Sequence, residues 1–598
     1  MKTKTVIILS CLIALTLSAQ EEKVEEIVSI GSKILQKKIE VNATIDIVDK
    51  KDLKRLAPKD FISILSNYLG IDTSSNGGLG QYSSLFLRGS NSNHTLVKVN
   101  GVKINPYTAG GAAINNIDPS LISRIEIGSG PFSSTHGSEA IGGVINISTL
   151  PDQQDSSLQL SVTRGTDNFK KENFQKNWVK KDKSLNIFLL KSKSEGFPSL
   201  LSSSINNGYK NKSLGGSFNS KKDRAKINIS TWLSKGQTEY LDFQSNPLSH
   251  NYENSAHSFS YFFEYKDPFL VSFNLSAAKD LIDQNQLNNL DQKDKIETDS
   301  LNFELMLSSP SDKDFSYAAI YVQEKQKVNY SSFGTYFQKN TKTNSFLTES
   351  KIKIKANLVR VKLRLSNHDL YGSHKSWNIG YKKNLNPFWS VRFNSGSAFR
   401  SPNSSELYGY GSNINLHPEI SKGQEFAMEK TSDDSIFSIV AFNNNIKNLI
   451  NFDFQENILK NIEHSNTKGF EIRYLWENKS INGRLLFRYQ DPKDETGLQL
   501  LRRSKKSLSF NIYRDLSFGT LNFNLSAFDK RRDFGDMPLP KYHLLHLTFL
   551  KERLNQMSIS LKVENILDKE YFTASGFNGY YQNQGRSLWL NATYGIQQ

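Results

Sequence analysis

The feature that most constrains this chain is a two-residue alternation recurring through residues 151–598. Val271, Phe273, Leu275 and Ala277 alternate with Ser272, Asn274 and Ser276. Leu521, Phe523, Leu525 and Ala527 alternate with Asn522, Asn524 and Ser526. Met557, Ile559, Leu561 and Val563 follow the same rule, as do Leu588, Leu590, Ala592 and Tyr594. Successive side chains of a β-strand point to opposite faces, so each segment has one apolar and one polar face. Turn signals such as Lys266-Asp267-Pro268 and Leu385-Asn386-Pro387 separate them. No apolar run here reaches the length of a spanning helix, and the mean hydropathy of the chain is −0.50, which excludes helical membrane spans. Apolar rows on one face and polar rows on the other, repeated over many short strands, are the pattern of a membrane β-barrel. A soluble sandwich or propeller is the competing architecture. Against it stand 37 Phe and 24 Tyr suited to interfacial girdles, a secretory leader, and the lack of a repeat of blade length.

The leader is residues 1–20. Lys2 and Lys4 are the positive end, Val6 to Leu17 the apolar core, and Ser18-Ala19 the small residues for cleavage. Cys11, the only cysteine, lies inside the core. A lipoprotein reading of Ile8-Leu9-Ser10-Cys11 is the disfavoured alternative, because apolar residues continue past the cysteine. With the leader removed, the chain has neither disulfides nor thiol chemistry. Residues 21–40 are charged apart from a β-prone pentad, Glu26-Ile27-Val28-Ser29-Ile30.

Residues 41–150 read as a small α+β unit. Residues 57–70 are expected to form an amphipathic helix, with Pro58 in its first turn, Phe61, Ile64, Leu65 and Tyr68 on one face, and Gly70 at its end. Asn100-Gly101, flanked by Leu96, Val97 and Val99 and by Val102 and Ile104, is a two-residue hairpin turn requiring positive φ at both positions. Two long Gly-rich polar loops span residues 76–84 and 105–115.

The stretch from Asp72 to Thr149 carries L-F-L-R-G at 85–89, T-L-V-K-V-N-G-V-K-I at 95–104 and I-S-R-I-E-I-G-S-G-P at 122–131. It resembles the plug domain of TonB-dependent outer-membrane receptors, and among them the cobalamin receptors. S-A-F-R-S-P-N-S-S-E-L-Y at 397–408 resembles a segment of their barrels. So do G-L-Q-L-L-R-R-S at 497–504 and V-E-N-I-L-D-K-E-Y at 563–571. The resemblance implies an all-β transmembrane barrel of about 22 antiparallel strands over residues 151–598, enclosing an N-terminal α+β plug. It makes the pentad Glu26, Ile27, Val28, Ser29 and Ile30 a TonB box, which adds as a strand to the periplasmic partner TonB. It also turns the two Gly-rich loops outward as the floor of a substrate site. Asn76, Gln81, Tyr82, Ser83, Tyr107, Thr108 and Asn115 are then the expected contacts, of a type suited to a large, amide-rich ligand.

Two departures accompany the resemblance. The family's R-G-P is replaced by Ser129-Gly130-Pro131, while Arg88 is kept; its expected partners inside the barrel are Glu425 and Glu471. The aspartate-rich calcium loop of cobalamin receptors is matched by residues 196–245, where Asn, Ser and Lys leave mainly Glu239 and Asp242. No metal site is therefore expected, and no cofactor. The chain also ends Tyr594-Gly595-Ile596-Gln597-Gln598 rather than on an aromatic, so the barrel-assembly machinery is expected to recognise Tyr594.

No catalytic constellation is visible, and the ten histidines show no metal-ligand spacing. None lies between Phe399 and Leu416, which the resemblance sets against a haem receptor. His94 is expected to be structural, and Asp533 and Asp536 to be solvated charges. The formal charge of +16 is spread through loops, which fits lipopolysaccharide rather than nucleic acid. The expectation is TonB-dependent import of cobalamin or a related corrinoid in the Gram-negative outer membrane, without enzymatic chemistry. A ferric-siderophore receptor is the alternative. A passive porin or adhesin, and an enzyme, are the remaining classes.

Overall fold

The computed structural model describes residues 26–34, 36–150, 156–242, 244–266, 269–285, 293–332, 334–453, 455–478, 481–554 and 556–597. The leader, Cys11 and the Asp267-Pro268 turn lie outside them. Twenty-two antiparallel strands close into one barrel. The first, Ser157–Gly165, pairs with the last, Ser587–Gln597, in a register running from Ser157 opposite Gln597 to Gly165 opposite Trp589. Closure leaves no unpaired strand edge, as a lipid environment demands. The alternation sets the faces: in Lys183–Ser194, Leu185, Ile187 and Leu189 are exposed while Ser184, Asn186 and Ser192 are buried toward the lumen. No helix among the described residues is long and apolar enough to cross a membrane. Strands of up to 20 residues, such as Pro247–Lys266, exceed the 9–11 that a crossing needs and extend beyond the bilayer.

Turns such as Lys181-Asp182 and Asp223-Arg224 close one end, and longer loops, including 195–208, 401–418, 529–541 and 565–586, crowd the other. The N-terminal segment lies at the short-turn end, where Lys382 donates to the Ile39 carbonyl at 2.6 Å.

The plug fills the lumen. Its five-stranded sheet runs Ile45–Val48, Arg124–Ser129, Gly143–Ser148, Thr95–Val99, Val102–Lys103, with Thr95–Val99 parallel to Gly143–Ser148. Asn100 (φ 52°) and Gly101 (φ 83°) form the expected tight turn. Both faces of the sheet are covered. Val97, Val99, Ile125, Ile127, Ile145 and Ile147 pack on Phe61, Ile64 and Leu65. The opposite face carries Leu96 and Val144 against Phe132, Ala140, Val28 and Ile30.

The expected helix at 57–70 is corrected at its start. Asp60 caps it, accepting from the Ser63 amide at 2.7 Å, and it runs as Phe61–Ser63 followed by a wide turn at Ile64–Tyr68. Ala57 instead ends an additional helix, Lys50–Leu56, in a left-handed conformation (φ 40°). Pro58 follows that cap, the usual place for a residue that cannot continue a helix. The Asp49/Asp52 capping box explains why the upstream helix forms.

Candidate functional site

Three regions carry the candidate chemistry: the N-terminal segment, the plug–barrel interface and the outer loops. The N-terminal segment is docked strand-like, Ile27 opposite Lys37 and Val28 opposite Gln36. Val28 and Ile30 are buried and Ile27 is exposed, so the pentad inserts alternate side chains into the plug. Its backbone is satisfied by plug side chains. One Glu126 carboxylate oxygen accepts from the Ser29 amide (2.9 Å), the Ser29 hydroxyl (2.8 Å) and the Ile30 amide (3.2 Å). Arg124 donates to the Ile27 carbonyl at 2.8 Å and pairs with Glu26 at 3.2 Å. His136 Nε2 donates to the Ile30 carbonyl at 2.8 Å. Beyond the pentad, Lys362 donates to the Gly31 carbonyl, Ser32 and Arg360 share Glu349, and Lys33 pairs with Glu304. Replacing Glu126 by Ala leaves the Ser29 and Ile30 amides without their charged acceptor, a loss of about 1.5–3 kcal/mol. Thiol labelling of Val28→Cys is then expected to accelerate at least about tenfold in E126A, and an unchanged rate would show that Glu126 does not hold the segment.

Glu126 was missed from sequence, though its signal was present. It alternates with Ile125 and Ile127 in a strand whose other face is core, so a buried polar partner was needed on its side. The register then lines up Glu126 with Asn146, and Asn146 with Lys98, as a polar row beneath the pentad.

At the interface with the barrel, Arg88 is buried between the two expected carboxylates. Nη1 lies 2.7 Å from Glu425, and Nε and Nη2 lie 3.2 Å from the two Glu471 oxygens. Its guanidinium stacks over Phe442 at 4.5 Å. Arg88 sits in the left-handed region (φ 46°), which costs roughly 1–2 kcal/mol for a non-glycine residue and aims the side chain into the barrel wall. Burial opposes its charge, yet Glu471 and Glu425 more than offset this and raise its pKa.

The barrel adds cations of its own to this cluster. Arg473 lies 2.7 Å and Arg488 3.0 Å from Glu471, while Glu425 accepts from the Thr44 hydroxyl at 2.8 Å. Ser129 itself borders a void of about 20 Å³ beside Arg88 and Glu425. Arg473 also pairs with Asp46 of the plug at 2.9 Å, together with Arg484. Burial alone would raise the Asp46 carboxyl; Arg473 and Arg484 outweigh it and hold its pKa below the usual value. Asp46, Arg473, Arg484 and Arg488 were not found from sequence, since only the lumen geometry singles them out. His94 is wholly buried, 2.8 Å from Glu419.

The seven expected substrate contacts are dispersed in exposure. Tyr82 is 55% exposed, while Gln81, Ser83, Tyr107 and Thr108 are buried, and Asn76 and Asn115 are half-buried. Gln81 donates to the Glu239 carbonyl at 2.5 Å, and Asn115 to the Gly80 carbonyl at 2.8 Å. Ser83 faces Ser75 across a two-stranded ladder. Loop 401–418 sits on the second plug loop: the Ser404 amide donates to the Tyr107 carbonyl at 2.8 Å and the Ser405 amide to that of Thr108 at 3.2 Å. The Tyr107 ring packs with Val328, Tyr330 and Phe337.

Above the first plug loop, loop 195–208 is zipped to the hairpin of Phe572–Gly576 and Gly579–Gln582. Leu200 bridges Tyr581, and the Leu201 and Gln582 amides donate to Tyr580 and Ser199 carbonyls at 3.0 and 2.9 Å. Thr573 of that hairpin accepts from the Ser75 amide of the plug at 3.0 Å. Asp242 accepts from the Gln244 and Asn246 amides, both at 2.8 Å, and Glu239 from the Gly208 amide at 2.9 Å, so both carboxylates brace loop backbone. The expectation of a solvated Asp533 is corrected. It is fully buried and accepts from Arg502 Nε at 2.7 Å and the Ser575 amide at 2.6 Å. The charged local sequence hid this, because both partners come from other loops. Asp536 is exposed, as expected.

Comparison with known proteins places this geometry. The TonB-dependent receptor plug domain model matches residues 37–144, and the TonB-dependent receptor-like β-barrel model matches residues 165–566. The chain belongs to the TonB-dependent receptor family, transporters of the outer membrane rather than enzymes. It is 27% identical to a vitamin B12 transporter BtuB of Vibrio vulnificus over 97% of both chains. It is 24% identical to one of Photobacterium profundum over 98% of both. The ferric enterobactin receptor PfeA of Pseudomonas aeruginosa superposes with a TM-score of 0.80 at 16% identity, covering 93% of this chain and 99% of that one. That likeness concerns the fold alone. As a family member the chain works with TonB on a large chelate substrate.

Proposed function

We propose that this receptor imports cobalamin or a related corrinoid. The observation that carries the reading is the end-to-end likeness to vitamin B12 transporters, 27% identity over 97% of each chain. The outer face supports it: Tyr82 is exposed and Asn76 and Asn115 are half-buried, residue types suited to an amide-rich ligand. Gln81, Ser83, Tyr107 and Thr108 lie beneath this surface and join the site as the plug loops themselves rearrange around the ligand. Loop 195–208 is ordered by its β-bridge to the 572–582 hairpin, which Asp533 braces in turn through the Ser575 amide, so ligand binding does not depend on calcium. Glu26 to Ile30 form the TonB box, leaving Glu126 and His136 to add as a strand to TonB. The dispersed lysines of the loops contact lipopolysaccharide, and Tyr594 in the last strand contacts the assembly machinery.

Titrating the detergent-solubilised protein with cyanocobalamin tests this. Nanomolar binding that is the same with calcium and with chelator is expected. Tight binding only with calcium would overturn the loop assignment. No binding at micromolar ligand in either condition would overturn the corrinoid assignment and point to a ferric siderophore.

A further inference from the structure

We propose that the lipid-facing wall of residues 157–241 holds one molecule of lipopolysaccharide, its phosphates on a ladder of strand lysines and its acyl chains in an apolar groove beneath them. The proposal rests on the reading that this receptor meets lipopolysaccharide, and it holds whichever chelate is carried. The ladder follows from strand register. On the outward face, near the long-loop end, Lys191 lies opposite Lys212 and Lys212 opposite Lys235. Two residues nearer the loops, a second row runs from Arg164 through Lys170 and Lys193 to Lys210. Like charges directly opposite on neighbouring strands are destabilising, and both rows repeat that arrangement from strand to strand.

Counter-charges are few. Glu253 takes Lys235 at 2.9 Å, and Glu172 reaches only Arg164, at 3.9 Å. Among the described residues no carboxylate pairs with Lys191, Lys193 or Lys212, and all three are exposed. Farther round the wall the outward charges alternate instead: Lys279 lies opposite Asp299, and Asp299 opposite Lys327. The concentration of one sign is therefore particular to these strands, and an anion from outside the chain relieves it.

The surface beside the ladder defines the rest of the ligand. Two residues farther from the loops, Leu160, Phe174, Leu189 and Leu214 form an apolar row in the same register. With Met557 they line a groove of about 750 Å³ that crosses the seam between the first and last strands, and Lys191 and Lys212 stand at its edge. The cations extend from the first strand to the fifth, roughly 19 Å at the usual spacing of neighbouring strands. A glycerophospholipid with one phosphate spans too little of that width. A sugar headgroup that bears several phosphates and the acyl chains together meets ladder and groove at once. Lysine suits the contact, because its stem runs along apolar surface while its ammonium stays at the level of the headgroup.

Titrating the full-length receptor, stripped of lipid by detergent exchange, with purified lipopolysaccharide tests the site. One equivalent is expected to bind and to raise the melting temperature. The triple variant Lys191→Gln, Lys193→Gln, Lys212→Gln is expected to bind at least about tenfold more weakly. Lys325→Gln, Lys327→Gln, Lys342→Gln removes as many exposed lysines from another part of the wall and is expected to bind as the wild type does. Equal affinity of the two triple variants would overturn the site and leave lipopolysaccharide to the loops. Wild-type receptor is also expected to bind dephosphorylated lipopolysaccharide and phosphatidylglycerol at least about tenfold more weakly than the intact lipid, a comparison that needs no variant. Equal affinity for phosphatidylglycerol would overturn the headgroup assignment, and no binding of lipopolysaccharide at all would overturn the lipid contact altogether. Cyanocobalamin binding, measured on the same preparations, is expected to be unchanged in both variants. Its absence from the wild type would overturn the corrinoid reading and leave the lipid result standing.

Discussion

Deleting residues 25–31 is expected to reduce energised uptake of cyanocobalamin to the level of cells lacking TonB, with binding at the cell surface unchanged. The separation of the two effects follows from geometry. Every contact of the pentad is with Glu126, Arg124, His136 or neighbouring groups at the short-turn end of the barrel, and the plug loops at 76–84 and 105–115 are not among them. Removing the segment also uncovers the sheet face of Leu96 and Val144, which exposes apolar surface without touching the ion pairs that hold the plug in place. Uptake measured beside surface binding in the same cells checks this. Uptake that survives the deletion would place the protein with passive porins or adhesins.

The second large effect is expected at Glu471. Its carboxylate is fully buried and meets Arg88 of the plug and Arg473 and Arg488 of the barrel. Removing it in Glu471→Ala leaves three guanidinium groups close together in a low-dielectric interior. Breaking one partner of a buried pair costs about 3–5 kcal/mol. The barrel has its own closed ladder, so the loss should fall on plug seating: faster proteolysis of the plug and a raised ion conductance across planar bilayers, with the barrel's own melting little changed. Glu425→Gln should be milder, because among the described residues Glu425 meets only Arg88 and the Thr44 hydroxyl. If E471A conducts no more than wild type, the plug is held by other contacts and the cluster at Glu471 is not its anchor.

Beside Ser129, where the resemblance leads one to expect an arginine, this cluster draws its cations from the barrel. A charge in a lumen needs a counter-charge within a few ångströms, but not from a particular strand. Arg473, on the same strand as Glu471, and Arg488, on the next, supply it from the wall, and Ser129 leaves only a small void. The barrel rather than the plug therefore carries most of the positive charge at this interface.

The sequence by itself determined the architecture. Alternation is a local property, because a strand repeats every two residues and lipid outside and water inside sort the two faces. For the same reason Asn100-Gly101 announced its turn, and Phe61, Ile64, Leu65 and Tyr68 their shared face. The resemblance named Arg88 and its two glutamates from motifs alone. What only the tertiary structure decided were pairings between residues far apart in the chain, which depend on how the plug is rotated in the barrel. Asp46 with Arg473 and Arg484, His94 with Glu419, and Glu126 beneath Ser29 and Ile30 are of this kind. Asp533 shows the reason most plainly. Its neighbours in sequence are charged and polar, as in any solvated loop, and it is buried because Arg502 and Ser575, brought in by other loops, satisfy a carboxylate that would otherwise have to remain in water.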